Sequence, residues 1–200
     1  MIHVEDITTL HKTMVVRWHE HDVDNPYSEL LGIVCQQFGY NFLLWHEEDI
    51  ARGTDVPDAK ITQVKRNIDR YNQLRNDWIE KIDDYITEDL SAKQIQPRQD
   101  ARLNTETAGS VIDRLSILAL RTYHMQEQLE RTDASPEHRR SVEHKLAICF
   151  AQHDDLSNSL HELLQDIYSG QKRHKTYRQL KMYNDPTLNP YLYRARQKAG

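Results

Sequence analysis

Cysteine, glycine and proline are all scarce in this chain, and it has no long hydrophobic run. The two cysteines, Cys35 and Cys149, lie in apolar helical surroundings and are predicted to be reduced core residues rather than a disulfide framework. Six glycines and six prolines exclude collagen-like, repeat-rich β and disordered classes. The longest apolar runs are about six residues, whereas a membrane-spanning helix needs about 20, so no span is predicted.

The N-terminal residues also lack the basic and then apolar pattern of a signal peptide. Together with the reduced cysteines, this predicts a cytoplasmic protein. The length of 200 residues suits one domain, with or without a tail, and such a domain folds without disulfides or a structural metal.

Charge is distributed unevenly along the chain, whose net charge is -5. Residues 171–200 hold eight basic side chains and one acidic side chain, whereas the rest of the chain has a net charge of -12. The overall acidity argues against a nucleic-acid partner. The basic segment could dock on the acidic body of its own or a neighbouring subunit, hold an anionic ligand, or form a solvated tail or nucleic-acid surface; we favour docking.

Apolar residues recur at spacings of three and four almost throughout the chain, which predicts helices. The third and fifth helices are each roughly 45–50 Å long, so they need antiparallel neighbours to bury their apolar faces. The fold class is therefore predicted to be all-α, an antiparallel bundle of about five long helices with an ordered C-terminal arm. The expected helices cover about residues 5–20, 28–52, 57–88, 110–131 and 135–170.

Two parts of the chain are predicted: a helical bundle over residues 1–170, and a basic, tyrosine-rich segment over residues 171–200 packed on it. The second part is expected to begin with a short helix at about residues 175–183. An extended arm should follow, because two prolines and two asparagines there disfavour regular structure.

The arm is too rich in leucine and tyrosine to be a free tail. Asn184 and Asn189 are expected to bond backbone groups near the prolines. If the arm crosses to a second chain the protein is a dimer, and a homodimer is the state we expect. Four side chains of the arm are expected to be at least half buried: Tyr183, Leu188, Leu192 and Tyr193.

The densest polar cluster lies at the end of the second predicted helix. His46 and Asp49 are three residues apart, hence neighbours on a helix, and such a pair could bind a metal or act as a general acid and base. Asn41 and Arg52 share this region. The alternative is a solvated acidic turn.

The third predicted helix carries a polar stripe rich in amides, which suggests specific hydrogen bonds; the alternative is a polar outer face. Asp69, Asn72 and Asn76 belong to this stripe. Arg75 interrupts the apolar seam and is expected to pair with an interior acid.

On the fourth predicted helix, Ser110 is expected to be the cap and Asp113 part of a capping box. Arg114 and Arg121 could clamp an anion. His124 is interpreted as a satisfied core histidine, although it joins His46 and Asp49 as a ligand if a divalent metal is bound. Residues 18–22 and 45–49 both contain Trp-His-Glu, a likeness that we attribute to chance.

Four segments together carry a family resemblance: residues 41–52, 69–83, 104–118 and 181–193. With them, nearly the whole chain resembles an uncharacterised bacterial family, domain of unknown function 4254. Residues 20–21 and 100–102 match nothing in the pattern of that family. The resemblance implies a bacterial cytoplasmic protein, sometimes encoded near cell-surface polysaccharide genes, but no reaction and no catalytic residue.

Three functional hypotheses follow. The first is an enzyme acting on a polar anionic small molecule, such as a sugar phosphate or nucleotide sugar, by acid/base or metal-assisted chemistry with His46 and Asp49. The second is a non-catalytic helical module that binds a partner or metabolite, and the third is a metal-binding bundle protein. Under the first, the second half of the second helix and the amide stripe would line the largest polar cavity. The expected substrate-binding residues are Asn41, Arg52, Asp69, Asn72, Arg75, Asn76, Arg114 and Lys181.

Overall fold

The computed structural model describes residues 2–182 and 185–199, with side chains up to residue 194. The prediction of an all-α protein is confirmed. The described helices are α1 (Val4–Glu20), α2 (Glu29–Ala51), α3 (Asp58–Ala92), α4 (Ala108–Glu130), α5 (Pro136–Tyr168) and α6 (Pro190–Ala199). Two strands of two residues each, β1 (Arg102–Leu103) and β2 (Lys172–Arg173), form the described sheet. Among the described residues, no helix is long and apolar enough to cross a membrane.

Two helical hairpins organise the bundle. Near the turn between α2 and α3, Asn67 donates a hydrogen bond to Glu47 at 2.7 Å, and further along the same pair the Tyr40 and Tyr71 rings are 6.4 Å apart. These contacts show that α2 and α3 run antiparallel. The short connection between α4 and α5 makes the second hairpin, and α1 packs against α2, α4 and α5.

The core lies where α1 packs on α2 and on the α4–α5 hairpin. Trp18 contacts the rings of Phe38 and Phe42, with ring centroids 5.0 and 5.5 Å apart respectively. Apolar residues at spacings of three and four, such as Ile7, Leu10 and Met14 of α1, are buried here. The fully buried large side chains include Ile7, Leu10, Met14, Phe38, Ile82, Ile86, Ile112, Leu115, Leu120 and Leu160.

The fourth helix begins earlier than expected. Thr107, and not Ser110, is the cap, because the Thr107 side chain accepts a hydrogen bond from the Ser110 backbone N–H at 3.2 Å. Asp113 is therefore not a capping residue; it lies a turn further on and faces the interior. The fifth helix begins as predicted, with Ser135 as the cap and Pro136 in the first turn.

Gly109 sets the distance between α3 and the start of α4. A Cβ at this position would lie 2.6 Å from the carbonyl oxygen of Ile79 and 2.9 Å from Asp83. The Gly109 backbone N–H donates to the buried Asp83 carboxylate at 2.8 Å. Burial raises the pKa of Asp83, while this bond and one from Thr107 oppose the rise. Only glycine permits this approach.

The segment after α5 differs from the prediction. No helix occupies residues 175–182; the chain there lies extended along α3. Arg178 pairs with Glu80 and Asp84, at 3.1 and 2.8 Å. One cation of the basic segment, Arg178, thus pairs with acidic side chains of its own chain. These ion pairs with α3, which is distant in sequence, explain why residues 175–182 do not form the helix that was predicted there.

The remainder of the arm is helical rather than extended. Asn189 caps α6, accepting a hydrogen bond from the Tyr191 N–H at 3.0 Å, and Pro190 fits the first turn. The bond from Asn189 to the backbone was expected. Leu188 is 48% and Leu192 39% exposed, so both are half buried, and Tyr193 is partly buried. Tyr183 and Asn184 lie outside the described residues.

We expect Gly109→Ala to lower the free energy of unfolding by roughly 1–3 kcal/mol, because the added methyl group meets backbone and a buried carboxylate. Denaturant unfolding would measure this. Gly53→Ala is the matched control, since its Cβ meets the movable side chain of Val56 in an exposed turn. Equal losses in both variants would contradict the close-packing argument.

His11 lies in the core, with its ring 4.8 Å from that of Phe38. Burial, with a smaller contribution from His153, lowers the pKa of His11 to about 3. The folded state therefore keeps His11 neutral, whereas the unfolded chain protonates it below pH 6.5. Its stabilising contribution is complete above pH 6.5 and is lost as the pH falls towards 3.

We expect the unfolding free energy of the wild type to fall, relative to His11→Leu, by up to about 1.4 kcal/mol per pH unit below pH 6.5. Urea unfolding between pH 7.5 and 5 would measure the difference. Parallel pH profiles of the two proteins would show that His11 is protonated in the folded state.

Candidate metal centre

Three histidines from three helices converge at one point of the bundle. His19 lies near the end of α1, His46 near the end of α2, and His124 near the end of α4. Their ring centroids form a nearly equilateral triangle with sides of 5.1, 5.3 and 5.5 Å. One ring nitrogen from each lies within 4.8 Å of the others, a spacing that could hold a metal ion.

The Nδ1 atom of each ring is already bonded. His19 Nδ1 lies 2.6 Å from the Val15 carbonyl oxygen, and His46 Nδ1 lies 2.8 Å from that of Phe42. His124 Nδ1 lies 2.7 Å from the Glu127 carboxylate. Because these acceptors take the proton of Nδ1, each Nε2 is left with a lone pair, as in histidines that bind zinc.

Two of the three Nε2 atoms, those of His19 and His124, are buried without a hydrogen-bond partner. Buried polar atoms without partners are rare in proteins and point to a missing ion or ligand. Zinc–nitrogen bonds of about 2.0–2.1 Å in a tetrahedral site place ligand nitrogens roughly 3.4 Å apart. The three nitrogens lie within 4.8 Å of one another, so they would have to move closer to reach that spacing.

Aromatic rings surround the three histidines. Tyr123 stacks on His19, with centroids 4.1 Å apart, and Trp45 stacks on His124 at 5.3 Å. The Phe42 ring contacts both His19 and His46. This shell fixes the ring orientations and limits the access of water.

The electrostatic surroundings suit a cation. Burial is the main cause that lowers the pKa of His19, and the nearby His124 and His46 lower it further. A neutral imidazole is the form that binds metal. The pKa of Tyr123 is raised, chiefly by burial and then by three surrounding acids. Those acids, Glu127, Glu20 and Glu130, create a negative potential beside the histidines.

A second polar cluster lies one turn along α2, inside the bundle. The Asp113 carboxylate accepts hydrogen bonds from Gln37 at 2.7 Å, from Asn41 at 2.9 Å and from Arg75 Nε at 2.7 Å. Arg75 Nη2 also bonds its second oxygen. Asp113 is buried, whereas the Arg75 side chain is 22% exposed, so the ion pair is partly buried. The expectation that Arg75 pairs with an interior acid is confirmed.

A pocket of about 350 Å³ adjoins both clusters. Asn41 and Arg75 contribute to its lining from the Asp113 cluster. Trp45 also lines the pocket, and its ring stacks on that of His124. Trp45 therefore lies between the pocket and the three histidines. The pocket is lined by Asn41, Leu44, Trp45, Glu48, Asp49, Arg52, Arg75, Ile117 and Leu120.

A family profile described as "Protein of unknown function (DUF4254)" matches residues 31–176, well over half of the chain. The chain belongs to the DUF4254 family. Searches of curated proteins and of solved structures return no match. The matched residues include His46 and His124, whereas His19 precedes them.

In this DUF4254 protein the expected catalytic pair is divided. His46 joins His19 and His124, while Asp49 is exposed and lines the neighbouring pocket beside Arg52. The residues that the structure brings together therefore include His19 and not Asp49. The interpretation of His124 as a satisfied core histidine is wrong, because its Nε2 has no partner among the described residues.

His19 was missed by the sequence reasoning, although a signal for it existed. The two Trp-His-Glu stretches, attributed to chance, contain His19 and His46, and both histidines belong to the cluster. In both stretches a ring nitrogen is bonded to the carbonyl one turn earlier in its helix.

Other expected substrate-binding residues lie elsewhere. Asp69 pairs with Lys65 on the surface of α3. The buried Asn76 donates to the Asn72 carbonyl at 2.6 Å, and Lys181 donates to the same carbonyl at 3.2 Å. The amide stripe therefore receives the C-terminal segment, and the expectation that it lines the polar pocket is wrong.

Arg114 is also outside this pocket. It pairs with Glu106 at 2.7 Å in a separate groove between α4 and α5, where Arg121 also lies. That groove measures about 540 Å³, so the pocket beside Trp45 is not the largest cavity either.

We expect Asp113→Ala to lower the unfolding free energy by roughly 2–4 kcal/mol, because the partly buried Arg75 loses its partner and Gln37 and Asn41 lose their buried acceptor. The combined variant Arg75→Met with Asp113→Leu is the control, since it removes both charges and keeps apolar volume. In denaturant unfolding, the combined variant should recover at least half of the lost free energy of unfolding. An equally unstable combined variant would contradict the buried-charge explanation.

Proposed function

We propose that this protein is an enzyme that binds one divalent metal ion through His19, His46 and His124 and acts on a small polar molecule. The observation that carries the proposal is the convergence of three imidazoles whose Nδ1 atoms are all bonded elsewhere. Three histidine ligands leave a coordination position open, which is typical of catalytic rather than structural zinc sites. The metal would supply an activated water or polarise a substrate oxygen.

The proposed substrate is a polar anionic molecule such as a sugar phosphate or nucleotide sugar, held in the pocket beside Trp45. Arg75 uses Nε and Nη2 for Asp113, so Nη1 is the donor left for an anion. Arg52 lines the same pocket, and the Trp45 ring offers a flat surface for a sugar. Asp49 would serve as the acid or base at the rim. The acids around Tyr123 disfavour an anion on that side of the three histidines.

A non-catalytic binding module is the second candidate. The observation in its favour is the Asp113 cluster, whose donors on α2 and α3 satisfy the carboxylate completely without a ligand. Such a network stabilises the packing of three helices even if no substrate ever reaches it.

We also propose a bacterial, cytoplasmic protein that acts as a homodimer and binds no nucleic acid. The two reduced, buried cysteines support the compartment. The net negative charge of the chain supports the absence of a nucleic-acid partner, and Arg178 of the basic segment is paired with Glu80 and Asp84.

We expect the full-length protein, stripped by a chelator, to bind one Zn²⁺ per chain in a calorimetric titration. Alanine at His19, His46 or His124 should weaken binding at least 100-fold, since each removes a ligand. Glu127→Gln should weaken it about 10–100-fold, because Glu127 orients His124. His144→Ala, at an exposed position of α5, is the matched control. Wild-type affinity in all three ligand variants would refute the metal centre.

The zinc-loaded protein should then turn over at least one member of a panel of sugar phosphates and nucleotide sugars, followed by product chromatography. Asp49→Asn should lower kcat while leaving zinc affinity unchanged, because Asp49 lies outside the histidine cluster. A protein that binds zinc but converts no member of the panel would favour the non-catalytic module.

A further inference from the structure

Two cavities of the molecule meet at one side chain of α4. Ile117 lines both the pocket beside Trp45 and the larger groove between α4 and α5. Ile117 is partly exposed, so it does not form a buried partition between them. The pocket measures about 350 Å³ and the groove about 540 Å³, and each volume falls within the range of about 300–1,000 Å³ that is typical of small-molecule sites. The two cavities therefore suit a ligand made of two linked parts.

The helical spacing of α4 explains why the cavities adjoin. Leu120 lines the pocket and Leu118 lines the groove, and Ile117 lies between these two directions on the surface of the helix. Arg114 and Arg121 are three residues before and four residues after Ile117, so both stand beside it on the same face. The border between the two cavities is therefore flanked by two cations.

One of these two cations is left for a ligand. Arg114 pairs with Glu106 at 2.7 Å, whereas Arg121 is exposed and has no ion-pair partner among the described residues. On the pocket side of Ile117, Arg75 Nη1 is also a donor left for an anion. Arginine recognises phosphate oxygens through several N–H groups at once. A diphosphate lying over Ile117 would therefore meet an arginine at each end.

The groove itself suits a neutral group with many hydrogen-bonding atoms. Its charges balance, because Glu106 and Asp155 offset Arg114 and Arg121. Its most buried lining residues are apolar and its exposed ones are polar or charged, which matches the flat faces of a base and the hydroxyl groups of a ribose. A carboxylate such as that of Asp155 is a suitable acceptor for ribose hydroxyls. The apolar residues are Val111, Ile117, Leu118 and Leu156, and the uncharged polar ones are Gln152 and Ser159.

We propose that the groove between α4 and α5 is the nucleoside subsite of the same site, so that the substrate is a nucleotide sugar rather than a sugar phosphate. The sugar lies beside Trp45, the diphosphate over Ile117 between Arg75 and Arg121, and the nucleoside in the groove with its ribose hydroxyls on Asp155. This inference rests on the proposed anionic substrate of the Trp45 pocket and adds the second half of that ligand.

Glucose 1-phosphate, UDP-glucose and ADP-glucose are the probes, because the first lacks the nucleoside that the other two carry. In calorimetric titrations of the full-length protein, we expect the better nucleotide sugar to bind at least tenfold more tightly than glucose 1-phosphate. Arg121→Gln and Asp155→Ala should each remove most of this advantage and leave the affinity for glucose 1-phosphate unchanged. Both residues are exposed and line the groove but not the pocket. Arg70→Gln, at an exposed position of α3 outside both linings, is the matched control.

Glucose 1-phosphate reports on the pocket alone, so two failures can be told apart. Equal affinity for all three probes, or an advantage that both groove variants retain, would overturn the nucleoside subsite and leave the proposed substrate of the Trp45 pocket intact. A groove variant that weakens glucose 1-phosphate as much as the nucleotide sugars would also overturn the subsite, because its effect would not be confined to the groove. If none of the probes binds, the proposed substrate is refuted, and this inference with it.

Discussion

The Asp113 carboxylate is the constraint on which the arrangement of three helices depends. It belongs to α4, yet its hydrogen bonds come from Gln37 and Asn41 on α2 and from Arg75 on α3. A buried charge must be satisfied from every side, so the rotation and register of α2 and α3 against α4 are fixed. The same rotation places Trp45, one turn beyond Asn41, between the polar pocket and the three histidines. The Asp113 carboxylate therefore determines both how the helices pack and where the residues of the candidate site lie.

Much of the fold was predictable because its signals are local. Apolar spacing located the five long helices to within a few residues at each end, and a charge within the apolar seam predicted the buried partner of Arg75. The prediction was wrong where two local signals competed, or where contacts distant in sequence determined the structure. Thr107 and Ser110 are both good caps, and only packing of Gly109 against α3 selects Thr107. The extended segment after α5 is held by acids of α3, about 100 residues away in sequence.

The histidine cluster shows why the site was harder to predict than the fold. Metal motifs recognisable in sequence, such as His-Glu-x-x-His, place two ligands on one helix at a fixed spacing, whereas here each histidine comes from a different helix. His46 and His124 were candidates, but no spacing relates them to His19. The arrangement depends on how α1 lies against the hairpins, which only long-range packing determines. Asp49 is close in sequence to His46 and yet points to another pocket.

The two short strands join parts of the chain that are made at very different times. β1 pairs in parallel with β2, and the Arg98 N–H bonds the carbonyl of Gly170, whose φ of +75° turns the chain out of α5. Strand β1 in the connection between α3 and α4 therefore has no β2 to pair with until residues 172–173 have been synthesised. During synthesis, the first hairpin can form early, whereas this connection must wait for about 70 further residues.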